Sequence, residues 1–318
     1  MAVELIGVNG MTVENKQFYD GLLIRRAIPK FHYITDGKQV DIPARGGNSI
    51  EFRGLARLTG TTGALTEGSS GAEIQATFTN VAATVAQYGK FLKLSDVLEL
   101  QAIDPVLSEY VGALGEQMGD SLDLVVRGVV VGGTTIQYAS TAGSRAMVGS
   151  GMNMSWAEIR EAVGTLERAN TPRFDDGTFH VIAHTDTKED MFADTTVVDN
   201  WQEAGVRGEG NPLFTGQITG SIYGTSWRFT TNGSIQSSAG LSGADVYQTV
   251  FYGKDYYAVT AYSAEQARVI IHPRGTSGLS DPLNQISTVG WKAAITAARL
   301  NNSFAVVLEH ATSQSTAA

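Results

Sequence analysis

A long amphipathic pattern in the first half of the chain limits the folds that this sequence can adopt. Asp104 is a good N-cap and Pro105 a good first helical residue. Apolar residues then recur at steps of three and four, the spacing of one helix face. They are Leu107, Val111, Leu114, Met118, Leu122, Val125 and Val129. A helix over 105–131 would span roughly 40 Å at about 1.5 Å per residue. The other elements must therefore pack along this one long helix.

Two alternating stretches upstream of this helix predict a long β-hairpin. Apolar and charged residues alternate over 49–58 and apolar and polar residues over 73–79, and the segment between them is rich in Gly, Thr and Ser. An arm of about ten residues would reach about 33 Å at ~3.3 Å per residue. An isolated two-stranded hairpin is marginally stable in water. The hairpin therefore packs either on its own domain or on another molecule.

The remaining chain divides into an arm, a linker and a mixed α/β region. Residues 1–45 contain a short helix that Pro29 ends, followed by an extended stretch. Residues 139–152 are rich in small residues and predict a linker. Beyond it, Ser155 and Glu158 form a capping box, and several strands follow. The alternation of the last forty residues predicts a final hairpin that turns at Asn301 and pairs with the strand predicted over 88–94.

Composition suits either a subunit whose surface is largely covered by neighbours or a glycine-rich β protein. Charged residues make up 17% of the 318 residues and there are 36 glycines, against a usual charged share of about 25%. The net charge of -9 argues against tight binding of nucleic acid, which needs clustered Lys and Arg. The chain has no cysteine, which excludes disulfides and thiolate chemistry. It has neither a basic N-terminal region nor about 20 consecutive apolar residues, so we expect no signal peptide and no transmembrane helix.

Motifs for catalysis or cofactor binding are absent from the sequence. We find no nucleophile elbow, no GxGxxG and no P-loop. His180, His184 and Asp186 form the one arrangement that resembles a metal site, but it is better explained by a strand that leads into a helix capped by Asp186. We therefore predict a structural protein that is not an enzyme, with no catalytic, cofactor-binding or metal-binding residues and no cofactor.

The order of these parts resembles the major capsid proteins of tailed bacteriophages, and most closely the group typified by the phage N4 coat protein. The resemblance is specific over roughly residues 40–130 and architectural beyond them. It is carried by GNSIEFR at 47–53, TT at 61–62, LTEG at 65–68, QYG at 87–89, LSD at 94–96 and DP at 104–105. Gly63 and Ala64 stand where the family would lead us to expect a proline.

This resemblance implies the α+β tailed-phage capsid fold. Its parts would be an N-terminal arm over 1–45, an extended loop over 46–84, a peripheral domain over 85–138 with the long spine helix, an axial domain over 139–285, and C-terminal strands over 286–318 that complete the peripheral domain. The resemblance further implies a subunit that self-assembles into pentamers and hexamers of an icosahedral shell. That shell would enclose double-stranded DNA without sequence-specific binding, and it would be assembled in the bacterial cytoplasm as part of the virion.

Expected contacts and partners follow from the same resemblance. We expect Arg53, Arg57 and Glu67 to make polar contacts between subunits and Leu65 to make an apolar one. Some capsids of this fold join a loop lysine to a neighbour's asparagine, but residues 46–84 contain no lysine. We therefore expect a noncovalent shell with a decoration protein. A portal at one vertex is expected, and a separate scaffolding protein because no long N-terminal coiled coil is present.

The sequence is also compatible with two alternatives. An encapsulin-like compartment shell has a similar fold but encloses enzymes. A soluble glycine-rich enzyme or binding protein, with a binding loop over 59–71, belongs to a different class.

Overall fold

A computed structural model describes most of the chain. It covers residues 13–43, 47–55, 73–96, 106–194, 221–262, 267–275 and 283–314, together with positions 58, 60, 64, 67 and 68. The described residues form helices and strands arranged in two large sheets and one separate hairpin. Among the described helices, none is both long enough and apolar enough to cross a membrane.

The predicted long helix is confirmed as α2, which spans Val106–Val131. Helix α1, Val13–Ala27, packs against it. Their backbones approach closely where α2 carries Gly115 and Gly119: a Cβ on these residues would lie 2.6 Å from the carbonyl oxygen of Leu23 and 2.7 Å from that of Ala27. Only glycine permits this distance between the two helices.

The first sheet packs one face against α2. Its long central strand β13, Ile286–Arg299, pairs with β4, Ala86–Ser95, on one side and with β11, Tyr257–Tyr262, and β12, Arg268–His272, on the other. Strand β1, Lys38–Ile42, runs parallel to β11. The pairing of β4 with β13 confirms the prediction that the strand near Tyr88 pairs with the C-terminal region.

The second sheet has seven strands. In spatial order they are β5 (Ile136–Tyr138), β14 (Ala305–His310), β10 (Val246–Tyr252), β6 (Phe179–His184), β8 (Thr225–Thr230) and β7 (Ser221–Ile222), with β9 (Ser234–Gln236) also paired to β10. One apolar cluster joins this sheet to α2 and the first sheet. A second cluster joins the sheet to α3, Trp156–Arg168. Helix α4, Thr185–Ala193, directly follows β6.

The prediction of a C-terminal hairpin was wrong, because β13 and β14 belong to different sheets. Asn301 accepts a hydrogen bond from the N–H of Ser303 and starts a 3-10 turn, after which β14 pairs with β10 and β5. Every residue of β14 is buried. Alternation in sequence therefore identified a strand but not its neighbours.

The stretch 139–152 also differs from the predicted linker. Ala139 and Val148 are fully buried, and the N–H of Ala139 donates to the carbonyl of Glu309. The small residues allow this segment to lie closely along β14, so it is a packed part of the fold.

The predicted β-hairpin is confirmed as a two-stranded sheet of its own, but its second strand lies later in the chain than the alternation over 73–79 predicted. Strand β2, Ser49–Leu55, pairs antiparallel with β3, Phe78–Thr84. At the base of the hairpin, Ile50 packs against a small buried cluster formed by Ile42, Val85 and Ala294. Most other described side chains of the hairpin are exposed, so its faces are available to another molecule.

Candidate subunit-contact surface

The hairpin presents large apolar side chains to solvent. Phe78 is 57% exposed and Ile74 is 52% exposed, although burying either side chain would release about 1.5–3 kcal/mol. The guanidinium carbon of Arg53 lies 5.4 Å from the centre of the Phe78 ring, a cation–π contact across the two strands. The hairpin therefore carries both apolar and charged groups suited to a partner surface.

The four residues predicted to make contacts have different outcomes. Arg53 is exposed on β2, and Glu67 is exposed in a turn with Gly68, whose φ of 83° favours glycine. Arg57 and Leu65 lie outside the described residues. The structure thus places two of the four at the surface of the hairpin, and their contacts with another subunit stay a prediction.

A second exposed apolar site lies on the first sheet, on the face turned away from α2, here called the outer face. Directly paired residues of an antiparallel sheet point to the same side, and Phe91, Gly290 and Ile270 form one such row across β4, β13 and β12. Phe91 is 63% exposed. A cavity of ≈ 350 Å³ opens beside this row.

Glycine gives the outer face its concave shape. A Cβ on Gly290 would lie 2.8 Å from the Cβ of Phe91, and a Cβ on Gly89 would lie 2.7 Å from the carbonyl oxygen of Trp291. Both distances are too short for a side chain, so the apolar row keeps a groove beside the Phe91 ring.

Basic residues flank this groove. Lys292 and Arg268 form the neighbouring row with Gly89, and Lys93 and His272 lie in the row on the other side. The hairpin carries acidic residues at Glu51, Glu67 and Glu73. The hairpin also carries Arg53 and Arg57, so it is the glutamates, and not the hairpin as a whole, that are complementary in charge to the basic residues of the outer face.

Sequence reasoning missed the outer face. The available signal was the apolar pair Phe91 and Leu92 between Lys90 and Lys93, because consecutive apolar residues in a strand point to opposite faces. This pattern predicts that the strand carries apolar groups on both faces, of which only one can pack on α2.

The histidine pair considered as a metal site has structural roles. The Nδ1 of His184 accepts a hydrogen bond from the N–H of Asp186, so His184 and not Asp186 caps α4. His180 instead lies between Asp36 and Asp176. In the part of the chain that the structure describes, no group of three or more His, Asp or Glu is arranged to hold a metal ion.

Comparison with known proteins assigns the class. The fold, with a long helix under a sheet, a projecting hairpin and a second sheet, is that of tailed-phage capsid proteins. A family model described as "Phage capsid protein" matches residues 79–307, and the chain therefore belongs to that family. It is a structural component of a phage capsid, and its copies assemble into the shell. No curated protein matches the chain in sequence.

Solved capsid structures agree over most of their length. The capsid of Ralstonia phage GP4 matches with a TM-score of 0.69 at 14% identity, covering 88% of each chain. The capsid of Cyanophage Pam1 matches with a TM-score of 0.66 at 18% identity, covering 91% of this chain and 92% of that one. The capsid of Helicobacter pylori bacteriophage KHP30 matches with a TM-score of 0.65 at 12% identity, covering 88% and 89%. At these identities the comparison establishes the fold.

Proposed function

We propose that this chain forms the pentamers and hexamers of an icosahedral shell that encloses double-stranded DNA, and that the hairpin of each copy lies on the outer face of a neighbour. The observation that carries the proposal is the pair of exposed, complementary surfaces on one chain. A contact between two different surfaces of identical subunits is heterologous, and repetition of such a contact gives a ring when the rotation between neighbouring copies closes. Pentamers and hexamers are rings of this kind.

In this proposal the shell is held by noncovalent contacts. Residues 46–84 contain no lysine and the chain has no cysteine, so neither a loop-lysine crosslink nor a disulfide joins the subunits. Arg53, Arg57 and Glu67 supply polar contacts and Leu65 an apolar one. The net charge of -9 suits a wall that contains DNA without binding it tightly.

We further propose that the chain is most similar to the phage N4 coat protein group and that it is assembled in the bacterial cytoplasm. Its parts are an N-terminal arm, an extended loop, a peripheral domain and an axial domain. The further partners are a scaffolding protein, a portal and a decoration protein. The family match favours this function over an encapsulin-like compartment or a soluble enzyme.

Size-exclusion chromatography and electron microscopy of the full chain, produced with the other phage structural proteins, test the proposal. We expect closed particles that dissociate in denaturant to a single 33.8 kDa chain. The double variant Arg53→Ala with Arg57→Ala should lower the particle yield. A ladder of covalent multimers would contradict the noncovalent shell, and a stable monomer under all conditions would contradict the function.

A further inference from the structure

Asp36 lies at the meeting point of the N-terminal segment and the second sheet. It belongs to the segment 31–37, which joins the 3-10 turn Ile28–Lys30 after α1 to β1. Its Oδ1 accepts a hydrogen bond of 2.7 Å from Arg228 on β8, and its Oδ2 accepts one of 2.7 Å from the hydroxyl of Tyr252 on β10. The Nδ1 of His180 on β6 lies 2.7 Å from the same Oδ2. Three strands of one sheet thus hold one carboxylate of the segment.

His180 faces a carboxylate at each ring nitrogen. Its Nε2 lies 3.0 Å from Oδ2 of Asp176, while Nδ1 faces Asp36. An ionised carboxylate can only accept hydrogen bonds, and a neutral imidazole has a single N–H. Both contacts are therefore hydrogen bonds only when His180 carries two protons and a positive charge.

The charges around His180 balance in that protonated form. Two negative charges, on Asp36 and Asp176, face two positive charges, on Arg228 and His180. The ring of Phe174 stacks on the imidazole with its centre 3.8 Å away, which limits access of water to one side. Loss of the proton leaves a partly buried excess negative charge and one carboxylate that faces a lone pair.

The ionisation of neighbouring groups agrees with this geometry. Burial disfavours the charge on His180, but hydrogen bonds and attraction to Asp36 and Asp176 outweigh it and raise the pKa of the imidazole above its usual 6.5. Burial also opposes ionisation of Asp36, yet the bonds from His180 and Tyr252 keep its pKa below the usual value. His32, in the same segment, has its pKa lowered by burial and by Arg228, so it does not gain a proton in the same range.

We propose that His180 is a proton-controlled latch that strengthens the hold of the second sheet on the segment 31–37 when it is protonated, and that this hold weakens when the imidazole loses its proton, while the bonds from Arg228 and Tyr252 to Asp36 remain. Because Asp36 lies two residues before β1, which pairs in the first sheet, the latch also couples the two sheets through the N-terminal segment. The stabilisation is complete below pH 6.5 and is lost as the pH rises through the raised pKa of the folded state.

Hydrogen exchange of the full chain, followed by mass spectrometry from pH 6 to pH 9, tests the latch. After correction for the intrinsic pH dependence of exchange, peptides that cover 31–37 should exchange faster above a midpoint that lies above pH 6.5. The increase should be about tenfold for each pKa unit that separates the latched and released states. Burial raises the pKa of Asp123, which also holds this segment, to about 6, so its titration overlaps the lower end of this range and the midpoint is measured in the Asp123→Asn background as well.

Three variants separate the latch from other causes. Asp176→Asn keeps the Oδ1 that accepts from the N–H of Thr178 but removes one charge beside His180, so the midpoint should fall. His180→Gln should remove the midpoint. His272→Gln, on β12 of the other sheet, should leave it unchanged. An unchanged midpoint in Asp176→Asn, or flat exchange in the original chain, would overturn the proposal even if His180→Gln fails to fold.

Discussion

The backbone N–H of Tyr33 donates a hydrogen bond of 2.7 Å to Oδ1 of Asp123, a fully buried carboxylate on the long helix α2. The N–H groups of His32 and Ile34 donate to the same oxygen at 2.9 Å and 3.3 Å. One oxygen thus binds three successive backbone groups of the segment that leads into β1. The other oxygen, Oδ2, is buried without a hydrogen-bond partner among the described residues.

The buried charge of Asp123 predicts a specific pH dependence. Burial raises the pKa of this carboxyl to about 6, even though three backbone hydrogen bonds oppose the shift. The folded state therefore binds this proton more tightly than the unfolded state does. The stabilisation of the folded state by the bound proton is complete below pH 3.8 and is lost as the pH rises through about 6. Asp123→Asn, which keeps the accepting oxygen, should gain roughly 2 kcal/mol relative to the original chain between pH 4 and pH 7.5.

Urea unfolding of the unassembled chain across this pH range measures the Asp123 effect. Asp175→Asn serves as the control, because the carboxylate of Asp175 is almost fully exposed. The difference in unfolding free energy between this variant and the original chain should be nearly constant with pH. A constant difference for Asp123→Asn as well would show that the buried charge does not destabilise the fold.

Replacement of glycine by alanine on α2 should have opposite effects on stability at different positions. Gly115→Ala and Gly119→Ala would each force a methyl group against a carbonyl oxygen of α1, so each should destabilise the chain by about 1–3 kcal/mol. Gly128 lies on the same helix with no atom near its missing Cβ. Gly128→Ala should stabilise by about 0.5–1 kcal/mol. Urea unfolding checks all three, and equal effects would contradict close packing of α1 on α2.

The ion pair between Arg145 and Glu309 ties the segment 139–152 to β14. Glu309 is fully buried, and the Nε and Nη2 atoms of Arg145 donate to its two oxygens at 2.6–3.1 Å. Gln248 donates to the same carboxylate at 2.7 Å. Removal of the arginine leaves a buried charge with too few partners, so Arg145→Met should cost about 3 kcal/mol.

A double-mutant cycle tests this ion pair. Arg145→Met combined with Glu309→Gln should recover much of the stability lost in Arg145→Met alone, because no buried charge remains. Thermal or urea unfolding supplies the four free energies. Strictly additive effects would mean that Arg145 stabilises the fold through packing and not through Glu309.

The groove of the outer face predicts an assembly defect without a folding defect. Phe91→Ser removes an exposed ring, so the stability of the unassembled chain should change by less than about 0.5 kcal/mol. Shell yield, measured by size-exclusion chromatography, should fall severalfold because the hairpin of a neighbour loses its apolar contact. Phe91→Leu keeps most of the apolar area and should keep most of the yield. Normal shells from Phe91→Ser would exclude the groove from the interface.

Local pattern in the sequence determined the parts of this protein. The three- and four-residue spacing from Val111 to Val129 specified α2 and the alternation over 49–58 specified β2, because helix and strand periods are set by the chain itself. The second strand of the hairpin, predicted over 73–79, lies instead at Phe78–Thr84. The resemblance over 40–130 gave the capsid class, which the family match confirms.

Only the tertiary structure decided which surfaces and charges meet. Alternation marked β14 as a strand, but its place between β10 and β5 depends on packing against both neighbours. Asp36 and His180 are 144 residues apart, and no local pattern relates them. The outer face likewise arises from three strands distant in sequence. Which residues meet depends on how all the helices and strands pack together to bury apolar area and pair charges. These contacts therefore form only when the elements are assembled.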